Sequence, residues 1–548
     1  MDVKIRKGHT FRRSFAAGIV AGALAVGISL LIKSLAGGPF LPELASQTLF
    51  SLTPGEFESQ AVENFGPLAK YTAFIVAIVM NFILYGLIGI FMDKFHNESR
   101  WKSYIVKAFQ SSLVAYIIIF IISILLVTTI QIRTGTRVVA IPLLAISLVL
   151  PQLVFGFILS SFFRTRQTLK GPPGEIPDTQ KKIASRGEFL RLIVASAIAV
   201  PILYFGLNKL FSGQNQEQQE SGFSSSQLVP LPKSRPAGFD DPLLAPLLAS
   251  ELTPTYLFYR IDINPIVPVV DEKTWNLTVK GLVDNPLTIT YEEIRKMPSV
   301  EQYATLECVS NKIGGDLIST ALWKGIRLRD LLARAKVKPG AKYIAFRCSD
   351  GYDVGIPLEN GLMDGTILAY DMNLAPLIAK HGFPVRAIVP GLYGMMNPKW
   401  ITEIELVDSV YEGYWQRNGW TNNADVHTTS TIVIPGQAEI RDRFRKLDEM
   451  PKIVPGQKAP IAGIAFGGDR GISKVEVSVD GGATWKSAVI KNPLSQYTWV
   501  LWTAGFTPIG KENYSIIVRA TDKTGKVQTA EFNKPFPDGA SGYQEVSI

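Results

Sequence analysis

Histidine and cysteine are scarce in this sequence, with four His and two Cys among 548 residues. Two cysteines, Cys308 and Cys348, exclude a disulfide framework and leave open a single bridge between them in an oxidising compartment. With no CxxC pair and no CxxCH run, the chain encodes neither a four-cysteine zinc site nor a covalently attached haem. The histidines, His9, His96, His381 and His427, are read as falling outside the long apolar runs. On that reading the chain by itself offers no facing axial pair for a haem in a helical bundle. Those runs also lack a paired Asp, Glu or Arg, which argues against a transport path and for an anchor or docking surface. No basic stripe crosses the polar part of the chain. The net charge of +9 comes from Lys and Arg flanking the apolar runs, a membrane pattern and not a nucleic-acid one.

What is abundant is apolar residue, 47% of the chain, gathered in its first two-fifths. Five stretches approach the ~20 residues needed to cross a bilayer: Ser14 to Leu35, Tyr71 to Met92, Ala108 to Ile130, Val138 to Phe162 and Phe189 to Phe211. They define a transmembrane domain over 1–211, an all-α bundle of five helices. Positive charge collects before the first stretch (Lys4, Arg6, Lys7, Arg12, Arg13), between the second and third (Lys94, Arg100, Lys102, Lys107) and between the fourth and fifth (Arg164 through Arg186). Because basic loops stay in the cytoplasm, the N-terminus is inside a cytoplasmic membrane and everything after the fifth span is outside. Ser185-Arg186-Gly187-Glu188-Phe189-Leu190 resembles a twin-arginine export signal with its second Arg replaced by Gly187, and equally reads as a basic flank to a helix. Residues 212–251 form a linker, polar and of low complexity up to about Ala237, with Asp240 to Pro254 placed to pack on the next domain.

From 252 to 431 short β-prone runs alternate with helical patches (Tyr291 to Lys296, Leu328 to Ala335), an α+β pattern. Within it Thr305 to Lys312 delivers Cys308 from a β-prone segment to the edge of a Gly-rich loop. A thiolate there is a soft ligand for a transition metal, whereas most single cysteines are small core hydrophobes. Tyr259-Arg260, His381 through Arg386, and Asn397 with Lys399 bring His, Arg and Lys to loop regions that would suit a phosphate or form a scattered solvated set. From 432 to 548 the pattern is all-β: Lys474 to Val479 alternates with period two ahead of an Asp480-Gly481 turn, and Tyr514 to Thr521 repeats it, as in an immunoglobulin-like sandwich. Gly467 to Gly471 precedes no helix pattern, so it is not read as a nucleotide loop.

Thr305 to Asn311, Leu322-Trp323-Lys324-Gly325, Ala369 to Asn373, His381 to Arg386 with Val389-Pro390-Gly391, Lys399-Trp400-Ile401 and Gly413-Tyr414-Trp415 together resemble the sulfite oxidase family of molybdenum enzymes. The resemblance implies a molybdenum-molybdopterin cofactor, with Cys308 as the protein ligand to the metal. It implies pterin or phosphate contacts at Tyr259, Arg260, His381, Arg386, Asn397 and Lys399, and a weaker one at Cys348. It also implies an Arg of a dimerisation sandwich, here Arg470, approaching the active site, and a homodimer. Where sulfite oxidases carry consecutive Arg residues after the ligand, this chain has Lys312 and Ile313, so Lys312 is the residue left to attract an oxyanion. Arg260, Lys312 and Arg470 with Cys308 form the expected catalytic set. The activity implied is two-electron oxygen-atom transfer on a small oxyanion or oxide, with sulfite oxidation first and sulfoxide or N-oxide reduction as the alternative. A non-catalytic surface recognition protein that keeps the fold is the reading from another class. Membrane lipid surrounds the anchor, and electrons pass to an external cytochrome or a haem-bearing membrane subunit.

Overall fold

The protein is described by a computed structural model. The described residues are 2–65, 68–98, 103–134, 139–167, 238–435 and 454–548, without 245–246, 249–250 and 511–512 but with the isolated positions 194, 198 and 203. They fall into two units, the first comprising 1–52, 68–213 and 264–266, the second 53–67, 214–263 and 267–548.

The first unit is helical: α1 (Asp2–Ala36), α2 (Leu41–Leu52), then, after α3 (Gly55–Phe65) of the second unit, α4 (Leu68–Glu98), α5 (Tyr104–Thr134) and α6 (Ile141–Gln167). Four segments of these helices are long and apolar enough to cross a bilayer, Phe11–Leu35, Tyr71–His96, Tyr104–Arg133 and Ile141–Phe163. They overlap the first four expected spans. The fifth, Phe189 to Phe211, falls outside the described residues but for three isolated positions, and so does the expected linker up to Ala237. Between α1 and α4 the backbones meet through small residues, as membrane helices without a hydrophobic drive between them require. A Cβ on Gly18 would lie 2.4 Å from the Tyr85 carbonyl oxygen and 3.1 Å from the Gly89 Cα. The outward faces of α4 and α5 expose Ile75, Val79, Leu87, Leu113, Ile121 and Leu125, a surface that suits lipid. The expected position of His96 outside the spans is corrected by the fold: α4 continues past Met92, and His96 sits buried in its last apolar turn. Lys107 Nζ donates to its carbonyl at 3.1 Å and Ser111 Oγ lies 3.0 Å from its Nε2.

The second unit opens its sheets with β1 (Asn276–Gly281), β2 (Leu287–Thr290), β3 (Val300–Glu307), β4 (Ile318–Arg327), β5 (Tyr343–Cys348) and β6 (Asp353–Pro357). These are followed by β7 (Ile367–Met372), β8 (Ala375–Pro376), β9 (Arg386–Ile388) and β10 (Ile401–Val407). One sheet runs β2-β1-β10-β5-β6, with β1 and β10 parallel; the other runs β3-β4-β7-β8, with β9 also on β7. Helix α7 (Tyr291–Lys296) starts at a reciprocal cap in which Glu293 N–H donates to Thr290 Oγ1 and Thr290 N–H to Glu293. Helix α8 (Leu328–Ala335) buries Leu328, Leu331, Leu332 and Ala335, the i, i+3, i+4, i+7 stripe of a helix against a core. The C-terminal part forms two four-stranded sheets from β11 (Thr429–Ile434), β12 (Ala459–Phe466), β13 (Ile472–Ser478), β14 (Lys486–Ser487), β15 (Val489–Ile490), β16 (Val500–Phe506), β17 (Ser515–Asp522) and β18 (Gln544–Ser547). Their orders are β11-β12-β16-β15 and β14-β13-β17-β18. Strand β17 alternates buried and half-buried positions along its whole length, so Ile516, Val518 and Ala520 face a core shared with Val475, Val477 and Trp502.

Candidate functional site

Strand β3 pairs with β4 out to Glu307 and Ile318, and Cys308 is the first residue beyond that ladder. Its N–H donates to Leu317 O at 2.9 Å and its carbonyl accepts from Asn311 N–H at 2.9 Å, so the chain turns immediately after the sulfur. Asn311 fixes the turn from within: its Oδ1 accepts from Leu317 N–H at 3.0 Å and its Nδ2 donates to Glu307 at 2.9 Å. Cys308 is buried, 7% exposed, with Ser310 Oγ 3.0 Å from Sγ.

Strand alternation sends Leu306 and Cys308 to one side and Glu307 to the other, and each side has a cavity. The larger, about 880 Å³ with the open space at its mouth, is lined by Leu306, Cys308, Tyr259, Arg260, His381, Arg386, Asn397 and Lys399. Seven of the expected site residues therefore meet in one pocket. Arg386 is fixed from two sides: Nη1 donates to His381 O at 3.2 Å and the guanidinium stacks 4.9 Å from the Trp323 ring centre, while Nε is buried with no partner. Burial lowers its pKa to about 10. His381 donates from Nε2 to Thr255 O at 2.8 Å, and burial followed by the Arg386 charge holds it down at about 3, a neutral ring at working pH. Lys399 pairs with Asp262, which also accepts Arg260 Nε at 3.1 Å. Desolvation lowers Lys399 to about 8 against the pull of that carboxylate. Two cations share Asp262 here and Arg386 adds a third charge, while Asp350 on the same wall is raised to about 7 by burial, so the cations at this end outnumber the acids. Asn397 lines the cavity, but its side chain is committed to backbone: Oδ1 accepts from Val389 N–H at 2.6 Å while Nδ2 donates to Leu392 O and Tyr393 O.

Three expected residues lie elsewhere. Cys348 ends β5 in the main core with Tyr352 and Phe346, a thiol that burial raises well above its usual pKa. Lys312 lines the smaller cavity, about 300 Å³, with Glu307, Asn311, Tyr393 and His427. Glu307 is pushed up to about 7 by burial, despite the Asn311 hydrogen bond. Arg470 bonds Asp522 at 2.9 Å and Val426 O at 2.8 Å, and reaches Thr428 on that cavity's wall at 3.3 Å. Sequence reasoning missed Glu58, Ser59, Asp262, Asp350, Trp415 and Trp420, which also line the larger pocket. Asp262 had a signal, standing two residues after Arg260 in the same loop; Glu58 and Ser59, from the segment between two apolar stretches, had none.

Residues 264–415 match the sequence profile of the oxidoreductase molybdopterin binding domain, and 423–534 that of the Mo-co oxidoreductase dimerisation domain. The chain is 30% identical to the sulfite oxidase of Gallus gallus, over 52% of this chain and 70% of that one. To the uncharacterised oxidoreductase YuiH of Bacillus subtilis it is 34% identical, over 29% of this chain and 79% of that one. The mitochondrial sulfite oxidase of Rattus norvegicus matches at 30% over 52% of this chain, which spans only 58% of the rat protein.

The pocket's chemistry fits the cofactor these relatives imply. Among the described residues no group of three or more His, Cys, Asp or Glu could hold a metal unaided, so a metal on Cys308 needs most of its ligands from a bound organic group. The partnerless Nε of Arg386, beside Lys399 and Arg260, is a waiting donor for an anionic tail. The chain belongs to the sulfite oxidase family: it is a molybdenum-dependent oxidoreductase whose cofactor is molybdopterin.

Proposed function

We propose that this enzyme is anchored in a membrane by five helices, with its catalytic unit outside, and transfers an oxygen atom in a two-electron reaction on a small sulfur oxyanion, sulfite first. The observation that carries the reading is Cys308, a buried thiol on the wall of a pocket that also gathers Arg260, Arg386 and Lys399. Bound molybdopterin would supply the metal, the dithiolene sulfurs and the redox change. The protein's share is to ligate through Cys308, to hold the anionic tail with Arg386, Arg260 and Lys399, and to offer a neutral His381 that brings no further charge. Lys312 and Arg470, the residues expected to act on the oxyanion, would then do so from the smaller cavity, Lys312 on its wall and Arg470 through Thr428.

Support for the outward placement comes from chain parity. Residues 53–67 follow the first crossing and belong to the same unit as Cys308, so both stand on one side of the membrane. Three described crossings separate them, and an even number is required; the apolar stretch Phe189 to Phe211 provides the fourth. The basic segments flanking the apolar stretches set that common side as the outer one. An immunoglobulin-like topology for the C-terminal sheets, a homodimer through them, and an external cytochrome or haem-bearing subunit as electron partner complete the proposal.

Reduction of an uncharged sulfoxide or N-oxide is the second reading, favoured by the smaller cavity. There Lys312 is accompanied by the buried Glu307, a poorer match for a dianion than consecutive Arg residues would be. The test is turnover of the purified full-length enzyme with an artificial redox dye against sulfite, methionine sulfoxide and trimethylamine N-oxide. Sulfite turnover that weakens as salt rises fits the first reading; salt-insensitive reduction of the oxides fits the second. In either case Cys308→Ser should keep its pterin and lose turnover by at least about a hundredfold, since a hydroxyl lacks thiolate donation. Normal turnover in that variant would remove Cys308 from the metal.

A further inference from the structure

Residues 53–67 separate two membrane helices in sequence, yet they are grouped with the catalytic unit. Helix α3 is seated there by the absence of a side chain. A Cβ on Gly55 would come within 2.6 Å of both Asn418 O and the Phe536 ring, contacts that no larger residue could make. One turn further, Glu58 and Ser59 are each 4% exposed and line the larger pocket with Cys308 and Trp415, whereas Glu56 and Phe57 are exposed. Glu58 also faces Tyr414, whose phenol is raised by burial first and by the Glu58 charge second. The pocket thus combines the cations Arg260, Arg386 and Lys399 with Glu58, an acid delivered by a separate element; of its other two acids, Asp262 is held between two of those cations and Asp350, raised to about 7 by burial, stands under the Lys399 charge.

A ligand with an anionic tail and a donor-rich head needs both kinds of wall. The pterin bicycle presents an amino group and a neighbouring ring N–H along one edge, and a carboxylate accepts two parallel N–H bonds with good geometry. We propose that Glu58 is a cofactor-positioning residue that accepts hydrogen bonds from this N–H edge of the pterin, so that α3 completes the molybdopterin pocket. The inference rests on the cofactor reading above.

The experiment uses full-length protein in detergent with Glu58→Ala, Glu58→Gln and, on the exposed face of the same helix, Glu56→Gln. Pterin per chain, molybdenum per chain and the rate of pterin loss on dilution are measured. Melting temperatures are compared for protein made with cofactor and in a host that cannot make the pterin. Glu58→Ala should lose pterin about tenfold faster or more, Glu58→Gln should fall between it and wild type, and Glu56→Gln should match wild type. The cofactor-free melting temperature should not change in Glu58→Ala, and only the increment due to cofactor should shrink. Wild-type pterin retention in both Glu58 variants overturns the proposal. So does an equal fall in melting temperature with and without cofactor, the mark of a purely structural residue. A wild-type chain that carries no pterin overturns the cofactor reading itself and this proposal with it.

Discussion

Lys399 gives the pocket a pH dependence of definite sign. Its ammonium is lowered to about 8, chiefly by burial, while Asp262 pulls the other way. An anion beside it favours the charged form, so above pH ~8 binding must take up a proton and affinity falls as pH rises. Pterin loss on dilution should therefore be several-fold faster at pH ~9.5 than at pH ~7. Lys399→Arg, whose guanidinium holds its charge to higher pH, should reduce that dependence to what Asp350, raised to about 7, and Arg386, lowered to about 10, leave, and an unchanged profile would show that Lys399 does not meet the anion. His381, already neutral, adds no slope there. Lys399 and His381 were singled out through the resemblance of their short motifs to a family, since their spacing alone equally suits a scattered solvated set, and the fold places both on one pocket wall. The places of Cys348, Lys312 and Arg470 were not legible, since each depends on which face of its strand or turn the fold presents. Cys348 closes a strand packed into the core, and Lys312 lies past the Asn311-fixed turn, on the side opposite the sulfur.

Elements were legible where their period was long or strict. The hydropathy of the first four spans and the alternation through Lys474 to Val479 and Tyr514 to Thr521 each correspond to a helix or strand. Helices α2 and α3 were not legible, because 12 and 11 residues with several Glu, Ser and Gln read as a loop between apolar runs. The extent of α4 is hidden for a related reason: Asp93 and Lys94 look like a boundary, but Ser14 Oγ donates to Asp93 at 2.7 Å and the helix carries on. The α1–α4 seam yields a stability prediction. Gly18→Val forces branched carbons against the Tyr85 carbonyl, and overpacking of this kind costs about 1–3 kcal/mol. A lower melting temperature of the detergent-solubilised protein and a lower membrane yield are expected. The exposed Ile121→Val on α5 is the control, and equal melting of Gly18→Val and wild type would show that the helices can part without loss.

For the whole molecule the decisive quantity is the parity of crossings. Reporters placed after residue 66 and after Ile548 should be active in the same, outer compartment, whereas those placed after Glu98 and Gln167 should report the inner one. Opposite signals at 66 and at Ile548 would break the argument that residues 53–67 and Cys308 share a side. The order in which the chain is made gives this arrangement a further meaning. Residues 53–67 leave the ribosome some two hundred and forty residues before Cys308 does, and on the proposed topology they would cross with the first hairpin of helices. If the catalytic unit is loaded in the cytoplasm and exported folded, it travels with one wall of its pocket already waiting on the far side. Docking of α3 would then be the last act of maturation, an event that separates an enzyme still able to exchange its cofactor from one that has closed around it.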